Sequence, residues 1–275
     1  MIKERAEVKS LYSDIPPTAL RAREEKQRKA KNVPFWHFIA DYVFFRMFEN
    51  RFYSVMIKNE ESIKRRNPNY ATICYTSHTN WWDGIFTYYI TRKVTKGKFR
   101  LMIEEMNRFP LFQYIGCFPV NKKSAQTAMK SLQYAATFMN DKEIVYCMFP
   151  QGIIKPPFSR PIEFQTGLAY LIKQAVKTNG GINLVPISTM GVFLREDRPE
   201  FVAEFGEPII IENDNFDRKE MTDKLSKNFE NLLDAHFAQV QSGDFSGYHY
   251  LFKRKDSWWK VIEKKLKNIG MKNKK

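Results

Sequence analysis

A chain of 275 residues, 43% hydrophobic and 15% aromatic, is long enough to bury a sizeable core as one or two domains. No run of eighteen apolar residues occurs, and the longest uncharged stretch, Thr178 to Leu194, contains Pro186 and Gly191 and reads better as a buried strand with flanking loops than as a membrane span. The net charge of +15 sits mostly at the two ends, which hold twelve of the fifteen excess charges. Residues 1–32 are polar, carry Pro16-Pro17, lack the apolar region of a signal peptide, and read as a loose basic arm. Residues 33–60 are an aromatic helical segment opening on Pro34-Phe-Trp-His. Asp41, Arg46 and Glu49 interrupt it, so it reads either as a membrane-interface helix, with Trp36, Phe44 and Phe45 against lipid, or as a helix packed on the protein's own core. His37 within it is expected to pack rather than react.

From Phe52 the text alternates, and residues 61–245 read as the α/β domain. Strands are expected from Phe52 to Lys58, Ala71 to Thr76, Phe99 to Ile103, Ile144 to Phe149, Ile182 to Ser188, Phe201 to Phe205 and Pro208 to Ile211. Helices are expected from Trp82 to Thr91, after an N-cap at Ser124, from Phe164 to Lys177, and after a capping box at Asp217-x-x-Glu220, with a short one at Phe109 to Tyr114. Such alternation argues an α/β fold, a mainly parallel mixed sheet covered by helices. Residues 246–275 form a basic tail in which Trp258 and Trp259 favour a membrane–water interface. Zinc-finger spacing, RNP-type strands and basic-region heptads are absent, so anionic lipid rather than nucleic acid is the expected partner. Cys74, Cys117 and Cys147 read as small buried hydrophobes of a reduced cytoplasm, and their spacing fits neither a disulfide framework nor a zinc site.

The most informative segment is His78-Thr-Asn-Trp-Trp-Asp83, between a strand and a helix. On one continuous helix the two side chains would point about 140° apart. A chain that leaves a strand near Ser77 and enters a helix near Trp81 can instead bring Asp83 back to one imidazole nitrogen. The other nitrogen then faces the cleft at the carboxyl end of the strand, where open α/β sheets bind ligands. An imidazole oriented by a carboxylate is a general base. Ser77 precedes the histidine without a nucleophile-elbow context, so no covalent enzyme intermediate is expected.

Downstream follow Gly116-Cys-Phe-Pro-Val-Asn-Lys122, Phe149-Pro-Gln-Gly152 and Val185-Pro-Ile-Ser188. With the histidine segment these four blocks resemble, in order and spacing, the glycerolipid (lysophosphatidic acid acyltransferase-like) acyltransferase family, whose blocks are N-H-x-x-x-x-D, G-x-x-F-[IV]-x-R, F-P-E-G-T-R and V-P-[IV]. The likeness spans roughly residues 70 to 190. It implies transfer of an acyl group from acyl-coenzyme A or acyl-carrier protein to a lipid hydroxyl, with His78 and Asp83 catalytic and no cofactor or metal beyond the thioester co-substrate. Gly116, Lys122, Phe149, Pro150, Gln151 and Gly152 would help bind acceptor or donor. The implied location is the cytoplasmic face of a membrane, peripheral or monotopic.

This chain departs from the pattern in two blocks. Lysine stands at 122 where the family carries arginine, Gln151 replaces the glutamate, and Ile153-Ile154 replaces Thr-Arg. Two arginines that would hold a phosphomonoester are thus changed, although Lys155 and Arg160 lie near enough in sequence to compensate. The acceptor therefore stays open between a lysophospholipid of the 1-acylglycerol-3-phosphate class and a sugar hydroxyl on a glycolipid or glycosylated carotenoid. A non-catalytic lipid-binding protein that keeps the fold is the remaining alternative.

Overall fold

The structure, a computed structural model, describes residues 28–104, 106–120, 124–194 and 196–255, together with Ile262 and Leu266. Lys122, Trp258 and Trp259 lie outside the described residues. In chain order the elements are α1 (Pro34–Arg51), β1 (Ser54–Lys58), β2 (Thr72–Tyr75), α2 (Trp82–Ile90), β3 (Lys98–Ile103), β4 (Cys117–Pro119), α3 (Ala125–Ala136), β5 (Ile144–Met148), α4 (Gly167–Asn179), β6 (Ile182–Val192), β7 (Glu200–Phe205), β8 (Ile209–Ile211), α5 (Arg218–Gln241) and β9 (His249–Lys253).

Among the described residues all nine strands join one sheet, in the order β4-β3-β5-β2-β6-β7-β1-β9, with β8 also on β6. From β4 to β6 every pairing is parallel. The eleven-residue β6 then changes partner along its length, pairing antiparallel with β8 through Ile182–Leu184 and with β7 from Ile187 to Val192. Pro186, which brings no N–H to a ladder, falls in the gap between those two partners.

Side-chain alternation divides the core in two. Cys74, Leu101, Val145, Cys147 and Val185 face a core shared with α1 and α2. Ile73, Tyr75, Ile144, Tyr146 and Leu184 face the other, shared with α3, α4 and α5. The central strands β2 and β5 are buried on both faces, which is why they read as unbroken apolar runs. The helix starts have local causes: Pro34 opens α1, Ser124 and Thr127 form a reciprocal capping box on α3, and Asp217 accepts from the N–H groups of Lys219 and Glu220.

Three expectations change. Residues 28–32 are not loose: the N–H of Lys31 donates to the Gln113 carbonyl at 2.7 Å, and that of Ala30 donates to the Tyr134 hydroxyl at 2.9 Å. The aromatic segment and the tail each contribute a strand to the body, because β1 pairs with β7 and β9 and buries Val55 and Ile57. Helix α1 packs His37, Ala40, Phe44 and Phe48 inward. Phe44, expected against lipid, is buried edge-on against Tyr88 and Phe112, while Trp36 stacks on Tyr114 and Phe45 meets Tyr89 edge-to-face. The exposed rings of this helix are Phe35, Phe38 and Tyr42.

Candidate active site

Strand β2 ends at Tyr75 and α2 begins at Trp82, so six residues turn the chain back at the carboxyl end of the sheet. The turn is built on Asp83. Its Oδ2 accepts from the N–H groups of Thr79 at 2.6 Å and Asn80 at 2.8 Å, and from His78 Nδ1 at 3.1 Å. Asn80 Oδ1 in turn accepts from the N–H of Trp82, closing the first turn of the helix. Asp83 is 1% exposed, so two backbone donors and one ring hold a buried carboxylate in one orientation. A proton on Nδ1 facing that carboxylate leaves the lone pair on Nε2, the tautomer a base requires.

The third block grips the same histidine. Strand β5 lies parallel beside β2, with Tyr75 in register with Met148, so the loop after β5 leaves the sheet next to His78. Gln151, 4% exposed, accepts the His78 N–H on its Oε1 at 3.0 Å, and the Lys155 N–H donates to the His78 carbonyl at 2.8 Å. The Phe149 ring stacks on the imidazole with centroids 4.3 Å apart. Gly152 closes this loop at φ +73°, and Pro150 accepts the Gln165 N–H at 2.8 Å, tying the loop to α4.

Two cavities meet at His78. One of about 180 Å³ runs beneath α2 and is lined by Phe44, Ile85, Tyr88, Phe112 and Cys117. Another of about 450 Å³ lies between α3 and α4 and is lined by Met102, Val120, Ala128, Leu132, Pro150 and Gly152. Burial pushes the Cys117 thiol and the Tyr88 phenol up, so both stay neutral in the wall of the smaller one.

Gly116, expected at the ligand, lies instead at the amino end of β4 and lines neither cavity. It is glycine for backbone reasons: its φ is +101°, and a Cβ would stand 2.0 Å from the Phe99 carbonyl oxygen. Lys155 pairs with Glu163 at 3.3 Å, and Arg160 is held by Asp234 on α5 at 2.5 Å. The other histidines are occupied elsewhere. His37 is buried between Tyr88 and Asn32, His249 meets Glu60 at 3.0 Å, and buried His236 bonds Ser188 at 2.6 Å, its pKa lowered by burial to about 3. Sequence reasoning missed the cavity walls on β3 and α3. Their only signal was the helical spacing of Ala125, Met129 and Leu132, which any packed helix shows. Among the described residues no group of His, Cys, Asp and Glu could hold a metal ion, and no helix is long and apolar enough to cross a membrane.

A family model described as Acyltransferase matches residues 54–190, which include both cavity-lining blocks and the histidine turn. No curated protein matches this chain. Among solved structures, the 1-acyl-sn-glycerophosphate (LPA) acyltransferase PlsC from Thermotoga maritima is similar at 16% identity and a TM-score of 0.46, over 76% of this chain and 79% of that one.

Proposed function

Because the chain belongs to the acyltransferase family, we propose that His78 is the general base of an O-acyltransferase acting on a lipid hydroxyl. Its Nε2 takes the hydroxyl proton as the oxygen attacks the carbonyl carbon of an acyl thioester. The tetrahedral intermediate expels the thiolate, which recovers the proton from the imidazolium. Asp83 fixes the tautomer and stabilises the imidazolium between the two steps. The donor is acyl-coenzyme A or acyl-carrier protein. One observation carries the reading: the His78 Nδ1 to Asp83 Oδ2 contact of 3.1 Å, made by a ring that borders two cavities.

A neutral acceptor, such as a monoacylglycerol or glycolipid, is favoured over a phosphomonoester. The cations best placed in sequence to replace the missing arginines, Lys155 and Arg160, already pair with Glu163 and Asp234, and Gln151 is committed to the His78 backbone. Membrane attachment is peripheral, through apolar side chains around the site: Trp81, Ile153, Ile154 and Phe158 are all exposed, Phe158 at 77%. A labelled acyl thioester offered to monoacylglycerol, glycolipid and lysophosphatidic acid tests the proposal. Transfer to the neutral hydroxyls is expected. Exclusive use of lysophosphatidic acid would reverse the acceptor assignment, and no product from any of them would end the lipid reading.

A further inference from the structure

The two cavities meet over the carboxyl end of β3, where His78, Leu101, Met102, Glu104 and Phe149 line both, and from there they diverge, one toward α2 and one toward α3, with walls that differ in kind. Along β3, Leu101 faces the core under α1 and α2, while Met102 faces the core under α3 and α4. The smaller cavity, about 180 Å³, is closed in depth by rings and aliphatic groups such as Phe99, Phe112 and Ile115. The larger, about 450 Å³, combines an apolar floor of Ala128, Met129 and Leu132 with polar walls at Gln165 and Thr166, where α4 begins. Its volume falls in the range of ligand pockets, roughly 300–1,000 Å³, and the smaller one falls below that range.

Two substrates must converge on one imidazole, and each makes its own demand. A saturated acyl chain needs a slot without polar groups. An acceptor lipid brings a chain and a polar head together, and its hydroxyl must reach Nε2. We propose that the larger cavity seats the acceptor's own hydrocarbon chain, with the part of the donor's acyl chain next to the thioester in the smaller one. The substrate class is then a single-chain lipid bearing a free hydroxyl, held with its chain between α3 and α4. This rests on His78 acting as base, but chain seating has a readout that does not need the base.

Monolauroylglycerol and palmitoyl-coenzyme A are the probes. Ala128 is half-buried on the cavity face of α3, so Ala128→Trp fills the larger cavity, and Gly84→Leu on α2 narrows the smaller. Displacing a few buried methylenes should weaken monolauroylglycerol binding by at least about tenfold in Ala128→Trp, with a matching rise in its KM and a palmitoyl-coenzyme A KM within about twofold. Gly84→Leu should show the reverse pattern. Leu132→Phe, a smaller insertion, should move monolauroylglycerol binding in the same direction if the tryptophan variant unfolds. Monolauroylglycerol binding unchanged in both α3 variants, or a loss confined to palmitoyl-coenzyme A, would overturn the assignment. Binding measured on His78→Ala protein separates the two claims: turnover surviving in that variant sinks the base, whereas the effect of Ala128→Trp on binding judges the cavity alone.

Discussion

Gln151 stands where the family pattern has glutamate, and its contact with the His78 N–H predicts a specific asymmetry between two substitutions. Gln151→Ala removes the acceptor at 3.0 Å and leaves the backbone N–H of His78, the proposed base, unpaired beside a buried site. An orphaned buried donor costs about 1–3 kcal/mol. The turn can relieve that cost by shifting His78, which is otherwise held through Asp83 on one side and Lys155 on the other. A shift near 1 Å at the reacting group costs roughly 100-fold in rate. Gln151→Glu keeps an oxygen acceptor in place, so it should retain kcat within about tenfold. Steady-state transfer from palmitoyl-coenzyme A, with thermal melts on each variant, reads both effects. If Gln151→Ala keeps full turnover, or Gln151→Glu loses as much as Gln151→Ala, the positioning role is wrong.

Three further outcomes follow from the geometry. Asp83→Asn can keep its amide oxygen at the Oδ2 position, accepting from Thr79, Asn80 and His78 Nδ1 together, but it loses the negative charge that stabilises the imidazolium; kcat should fall by at least about 10²-fold with little change in KM, and near-normal kcat would refute that electrostatic role. His236, with a pKa of about 3 against 6.5 when unfolded, takes up a proton only on unfolding between those values. Its contribution is therefore complete above pH 6.5 and lost as pH falls, about 2 kcal/mol by pH 5. Urea titrations should show that loss in wild type and a flatter profile in His236→Gln; identical slopes would contradict it. Gly116→Ala should destabilise by about 3 kcal/mol, lowering Tm by roughly 6–12 °C, because the Phe99 carbonyl occupies the space of its Cβ; an unchanged melt would mean the turn relaxes freely.

How far the chain could be read depended on whether a feature is local. Strands β2 and β5 were legible because burial on both faces writes an unbroken apolar run, and α3 and α5 because their caps are adjacent residues. Strand β9 was not, since its side chains are mostly exposed at a sheet edge and leave no period in the sequence. The inward stripe of α1 was hidden because aromatic residues occupy its outer side as well, so Phe44 and Phe38 look alike until packed. The His78 turn was legible as a strand-to-helix reversal, whereas the clamp by Gln151 and Phe149 depends on β5 lying next to β2, a tertiary fact. Gly116 was misplaced for a physical reason: a glycine that admits a ligand and one that admits a neighbouring carbonyl read the same.

The central claim is that the imidazole at position 78 removes the acceptor proton. Acyl transfer by His78→Ala, measured alongside its melting curve, tests this most directly. A folded variant whose transfer drops to the uncatalysed background is the expected result. A folded variant that still turns over at the wild-type rate would contradict it.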